Sequence, residues 1–72
     1  MRANSIEVLF IPQGRSEPQS HWLAADEWPA DHDYLVDSIL ARYEAVYGEV
    51  LTIVYVADPR APRTLFTNRR FL

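Results

Sequence analysis

The first apolar segment alternates in the manner of a β-strand. Ser5–Ile11 is predicted to be extended. One side of this strand would carry three large apolar residues, Ile6, Val8 and Phe10. The other side holds Glu7 but is otherwise apolar, with Leu9 and Ile11. A strand that is apolar on both sides is expected to be covered on both sides.

The next segment, Ser20–Trp28, admits two interpretations. It could pair with the first strand as a hairpin, which would place Trp22 and Ala24 on a shared face. Alternatively, Ser20 could cap a short helix with the two alanines inside it. The shared face favours the strand slightly, and the sequence leaves the choice open.

A helical period begins after Pro29. Residues Asp31–Tyr47 are predicted to form an amphipathic helix of about sixteen residues, because apolar side chains recur every three to four positions. The stripe consists of Leu35, Val36, Ile39, Leu40, Tyr43, Val46 and Tyr47. Asp31 and Asp33 stand where carboxylates stabilise a helix N-terminus. Gly48 is predicted to close the helix in the left-handed conformation that glycine adopts easily.

Two further strands complete the pattern. Val50–Ala57 is rich in β-branched residues and apolar on both faces, which indicates a central strand. A proline-containing turn, residues 58–62, separates it from Arg63–Asn68, which alternates and is predicted to return as an antiparallel strand.

These elements predict an α+β fold. One amphipathic helix would pack on a three- to four-stranded, mainly antiparallel sheet, in the order β-(β)-α-β-β, within a single small domain spanning residues 1–72. One helix covers only one face of a sheet. We therefore expect the second face to be covered by a copy of the chain or by a partner protein.

Size and composition narrow the classes of function. The chain has 72 residues, of which 49% are hydrophobic and none is cysteine, so neither a disulfide nor a thiolate metal site can stabilise it. We expect a cytoplasmic protein without membrane insertion, because the longest early apolar run, residues 8–11, stops at Pro12.

No catalytic, cofactor-binding or metal-binding signature is recognised. Cysteine and lysine nucleophiles are missing, and two glycines cannot form a phosphate-binding loop. A metal site could be drawn from Asp31, His32 and Asp33 with His21, but the spacing matches no standard zinc pattern. The simpler interpretation is a capped helix with a solvated histidine, so we predict a protein that is not an enzyme and has no cofactor.

Charge is unevenly distributed around a net charge of −3. Residues 60–72 carry a cluster of basic side chains: Arg60, Arg63, Arg69 and Arg70. With nearby aromatic residues they could bind a nucleic acid strand, although the overall negative charge opposes this. The simpler interpretation is that they protect an edge strand from self-pairing.

Aromatic residues accompany an acidic segment that precedes and includes the start of the helix. Tryptophan and tyrosine supply many hot spots of protein interfaces. The residues predicted to contact a partner are Trp22, Trp28, Asp33, Tyr34 and Asp37. A solvated helix face and buried tryptophans are the simpler alternative.

The leading hypothesis is a small protein-binding module without enzymatic activity. By analogy of size and composition, it would be an accessory or inhibitory protein of a phage or mobile element that blocks a partner's surface. The alternatives are a homodimeric structural protein and a nucleic-acid-binding module that uses the C-terminal arginines.

Overall fold

The structure is a computed structural model that describes residues 4–25 and 31–69. Within these two ranges the chain forms four strands and one helix. In chain order they are β1 (Ser5–Pro12), β2 (Gln19–Ala24), α1 (His32–Val46), β3 (Gly48–Val56) and β4 (Arg63–Thr67). The predicted α+β fold is confirmed, and the ambiguous segment begins as a strand. The predicted continuation of that segment to Trp28 lies outside the described residues.

All pairings in the sheet are antiparallel, and the strand order is β2-β1-β3-β4. β1 lies between β2 and β3, so β2 and β3 run in the same direction. A connection between two parallel strands must cross the sheet, and α1 provides this crossover. The helix therefore lies on one face of the sheet, where it packs against β3 and β4.

The core lies between α1 and the central strands. Its buried members are Ile6, Val8, Phe10, Val36, Ile39, Tyr43, Val50, Ile53 and Tyr55. The side of β1 that carries Ile6, Val8 and Phe10 is thus the one that faces the core. The pairing of β1 with β3 shifts its register between Leu9 and Phe10, where Leu51 of β3 is the extra residue, and the pairing of β3 with β4 shifts between Ile53 and Val54, where Leu65 of β4 is the extra residue.

A carboxylate stabilises the N-terminus of α1, as the acidic residues at this position predict. The Asp31 side chain accepts a hydrogen bond of 3.0 Å from the Tyr34 backbone N–H, which satisfies one free donor of the first turn. Val46 departs from the predicted apolar stripe, however, because it is 65% exposed. Val46 lies in the last turn, directly before the chain enters β3, and the sheet does not cover it there.

Gly48 corrects one sequence prediction. It is not in the left-handed conformation, and among the described residues only Gly14 has a positive φ, of 77°. Gly48 is instead a buried first residue of β3, paired with Pro12. A Cβ at this position would lie 2.8 Å from the Ile11 carbonyl carbon and 2.9 Å from the Pro12 Cα. Glycine is needed here for close backbone approach rather than for backbone rotation.

Candidate functional site

The sheet face opposite α1 is covered by no helix or strand of the described residues. We call it the open face. It consists of the strand residues that alternate with the core, namely Ser5, Glu7, Leu9 and Ile11 of β1, Ser20, Trp22 and Ala24 of β2, Thr52, Val54 and Val56 of β3, and Thr64 and Thr67 of β4. Its β1 residues are only half-buried. The face that α1 leaves uncovered therefore carries apolar side chains on β1, β2 and β3 interspersed with serine, threonine and glutamate, so the expectation of an uncovered second face holds among the described residues, but that face is mixed rather than apolar.

One row of the open face combines aromatic, acidic and apolar side chains. The register places Glu7 opposite Trp22 on one side and opposite Val54 on the other. Directly opposed residues of antiparallel strands have Cβ atoms about 4.5–5.5 Å apart, so these side chains are neighbours. Trp22 is 58% exposed. A large aromatic side chain is thus presented beside a carboxylate.

A recess of about 420 Å³ opens beside this row. We call it the Trp22 recess. It is lined by the side chains of the row together with Ser5, Val56 and Thr64, and by Ala57, Pro59 and Pro62 from the β3–β4 connection. Within that connection, the Asp58 side chain accepts a 3.0 Å hydrogen bond from the Arg60 backbone N–H, and its carbonyl accepts one of 2.9 Å from Ala61. These bonds hold the proline-containing rim in place.

Glu7 is the acidic group of the recess. Its Oε2 accepts a 3.1 Å hydrogen bond from the Ser20 hydroxyl, and the side chain forms no ion pair with any residue in 4–25 or 31–69. An ionised carboxylate can accept about four hydrogen bonds. Glu7 therefore retains capacity for a donor from outside the chain.

The other predicted partner-binding residues lie on the helix side. Tyr34 is 72% exposed, the Asp33 side chain is 93% exposed beside His32 at 3.5 Å, and Asp37 is exposed one turn further along. The sheet separates these residues from Trp22, so the structure does not join them into one surface. Trp28 lies outside the described residues. Partner binding by this set stays a prediction.

The arginines predicted to bind nucleic acid are spread along β4. Arg60 belongs to the connection before the strand and lies 3.5 Å from Asp58. Arg63 begins the strand, whereas Arg69 follows its far end. Six residues of extended chain span about 20 Å, so Arg63 and Arg69 do not form a compact cluster. Arg70 lies outside the described residues, and nucleic acid binding stays a prediction.

An aromatic cluster around His21 was not anticipated from the sequence. The His21 ring packs edge-on against Phe10, with ring centroids 4.7 Å apart, and against Tyr47 at 5.0 Å. Its Nδ1 shares a 3.1 Å hydrogen bond with the Tyr43 hydroxyl. Burial raises the pKa of Tyr43 above its ordinary value; the nearby Tyr47 raises it further, while Arg42 lowers it. Because side chains alternate along a strand, His21 and Trp22 point to opposite faces of the sheet. This alternation is the sequence signal that could have placed His21 on the face of the helix.

This arrangement does not assemble a metal site. In the described ranges, no group of three or more histidine, aspartate or glutamate side chains converges to hold a metal ion. His21 instead packs against Phe10 and Tyr47, whereas the Asp31 side chain caps α1.

The comparisons with known proteins add no functional information. Protein-family models, curated proteins and solved structures were all compared with the chain, and none matches it.

Within the described residues, α1 is the only helix, and it is too short and too polar to cross a membrane. The geometry of the open face is therefore the basis for a functional argument.

Proposed function

We propose that the protein binds another protein through the open face and thereby blocks a surface of that partner. The observation that carries this proposal is the 58% exposure of Trp22 on an uncovered sheet face beside the Trp22 recess. Exposed tryptophans next to a concave apolar surface are typical of interface hot spots.

The energy available from Trp22 is substantial for a protein of this size. A tryptophan side chain buries about 150–250 Å² when fully covered. Covering the exposed 58% would remove about 90–145 Å² from water. At about 25 cal/mol per Å² this contributes roughly 2–4 kcal/mol to binding. Trp22 alone could thus change the affinity by more than tenfold.

The half-buried aliphatic residues extend this surface along β1. Leu9 and Ile11 continue the open face beyond Glu7 and remain accessible to a partner. An open strip of this kind, next to an anchoring recess, suits association with a polypeptide better than enclosure of a small molecule. A partner protein is therefore the favoured occupant.

The test compares two exposed aromatic residues on opposite sides of the sheet. Immobilised wild-type protein, Trp22→Ala and Tyr34→Ala would be exposed to lysate of the native cell, and bound proteins quantified by mass spectrometry. We expect one partner at stoichiometric level, reduced at least about tenfold by Trp22→Ala and retained by Tyr34→Ala. Circular dichroism would verify that both variants are folded.

Other outcomes have definite meanings. If Trp22→Ala retains the partner while Tyr34→Ala loses it, the helix surface with Asp33 and Asp37 is the binding site and the open face is not. If light scattering gives twice the 8.3 kDa chain mass and Trp22→Ala restores the monomer, the open face binds a second copy instead. Either result overturns the proposal.

A further inference from the structure

We propose that the Trp22 recess receives an arginine side chain of the partner polypeptide, with its guanidinium group between the Trp22 indole and the Glu7 carboxylate. This inference rests on the proposed function and names the chemistry that the partner must bring. Trp22 and Glu7 are direct cross-strand neighbours on the open face, and together they offer a π-surface and a negative charge.

Glu7 supplies the charge complementarity. Its direct neighbours across the strands are Trp22 and Val54, so the carboxylate stands between two apolar side chains, with Thr64 beyond Val54 in the same row. Covering this row with an apolar partner would remove the carboxylate from water without a compensating cation, which is unfavourable. A positive group on the partner, placed at Glu7, compensates this cost in full and is therefore the favoured complement.

The geometry favours arginine over lysine. A planar guanidinium can stack on an indole and donate two hydrogen bonds to a carboxylate at the same time. Cation–π attraction operates within about 6 Å of the ring centroid, which is compatible with the spacing of opposed strand residues. The hydrogen bond from the Ser20 hydroxyl uses one acceptor position of Glu7 Oε2. The other acceptor positions of the carboxylate can receive two hydrogen bonds from one guanidinium.

The walls of the recess suit the rest of an arginine side chain. Val54 and Val56 form an apolar side, and Pro59 and Pro62 form a rigid rim. The methylene groups of arginine pack well on such surfaces while the charged end reaches a polar group. The volume of about 420 Å³ leaves room for the side chain and for part of its backbone.

The surroundings indicate a polypeptide rather than a free cation. The open face continues from Glu7 to Leu9 and Ile11 along the same side of β1. A small cation would leave this strip exposed, whereas residues flanking an arginine in an extended segment would cover it. The occupant is therefore an arginine within a partner segment that also carries apolar residues.

The test is an NMR titration of the intact protein that follows the Trp22 indole N–H. The probes are acetyl-Val-Arg-Val-amide, the same tripeptide with citrulline in place of arginine, and acetyl-arginine-amide. Citrulline keeps the shape of arginine but is neutral. We expect the arginine tripeptide to bind about five- to tenfold more tightly than the citrulline tripeptide, and more tightly than the single residue.

Two variants assign the effect to the recess. Glu7→Gln keeps the side-chain size and an acceptor for Ser20, and should bring the arginine tripeptide down to the affinity of the citrulline tripeptide. Glu44→Gln removes a carboxylate from the exposed surface of α1 and should leave the affinity unchanged. Equal affinity for the two tripeptides, or an unaltered affinity in Glu7→Gln, overturns the inference.

The outcomes also separate this inference from the proposed function. If the two tripeptides bind equally but Trp22→Ala still loses the captured partner, the partner-binding function stands and arginine recognition is wrong. If Trp22→Ala keeps the partner, the function at the open face is wrong, whatever the tripeptides do. Equal affinity of acetyl-arginine-amide and the arginine tripeptide would contradict the polypeptide as occupant.

Discussion

Replacing Gly48 with alanine should strongly destabilise the sheet where α1 passes into β3. The added Cβ would lie 2.8 Å from the Ile11 carbonyl carbon and 2.9 Å from the Pro12 Cα, whereas real Cβ atoms essentially never approach closer than 3.0 Å. Both neighbours are backbone atoms. The clash cannot be relieved by rotating a side chain, so β1 and β3 must move apart.

The size of the effect follows from two contributions. Forcing extra volume into a packed site costs about 1–3 kcal/mol. Separating the strands also strains the adjacent 2.9 Å hydrogen bond from the Gln13 N–H to the Tyr47 carbonyl, and a lost hydrogen bond costs about 0.5–1.5 kcal/mol. We expect a loss of about 2–4 kcal/mol in the free energy of unfolding, out of roughly 4–11 kcal/mol for a chain of this length.

Urea denaturation followed by tryptophan fluorescence measures this loss. Gly14→Ala is the matched control, because a Cβ there meets nothing within 4 Å and only the positive φ of 77° is unfavourable. We expect the control to cost about 1–2 kcal/mol.

A second substitution separates two explanations of Gly48. Asparagine tolerates the left-handed conformation, so Gly48→Asn would be mild if Gly48 were a helix cap in that conformation. Close approach predicts that Gly48→Asn is at least as harmful as Gly48→Ala. A loss below about 0.5 kcal/mol for Gly48→Ala, the range of neutral surface changes, would refute the steric argument.

Three further perturbations test the helix and the aromatic cluster. Asp31→Ala should lower the free energy of unfolding by about 1 kcal/mol in urea titrations. Asp31→Asn can still accept the hydrogen bond from the Tyr34 N–H and should lower it much less. Equal losses in the two variants would contradict the capping role. Tyr43→Phe should cost about 0.5–1.5 kcal/mol at neutral pH because it removes the hydrogen bond to His21, and an unchanged urea midpoint would speak against that bond. Because the pKa of Tyr43 is raised in the folded protein, its hydroxyl ionises at lower pH in the unfolded chain than in the folded one. The free energy of unfolding should therefore be highest below pH 10.0 and decrease as the pH rises beyond it. Tyr43→Phe should flatten this alkaline fall in thermal melts, and an equally steep fall in the variant would rule out Tyr43 as its source.

The candidate site was only partly predictable. Trp22 could be named from the sequence as a candidate partner contact, but its exposure could not be decided, because the sequence left its segment open between strand and helix. Glu7 could not be selected, because its importance comes from standing between Trp22 and Val54. That position depends on which strands pair and in which register, and both depend on contacts between residues far apart in the chain. Similarly, His21 meets Tyr43 only because α1 crosses over the same face of the sheet.

Local patterns were sufficient for the elements themselves. The period of two in β1, the β-branched apolar run of β3 and the helical period of α1 are features of a few neighbouring residues, so the sequence alone determined the α+β class. Tertiary structure decided the strand order, the recess and the role of Gly48. The glycine illustrates the reason: a helix cap and a close backbone contact both require glycine, and only the position of Ile11, thirty-seven residues earlier in the chain, distinguishes them.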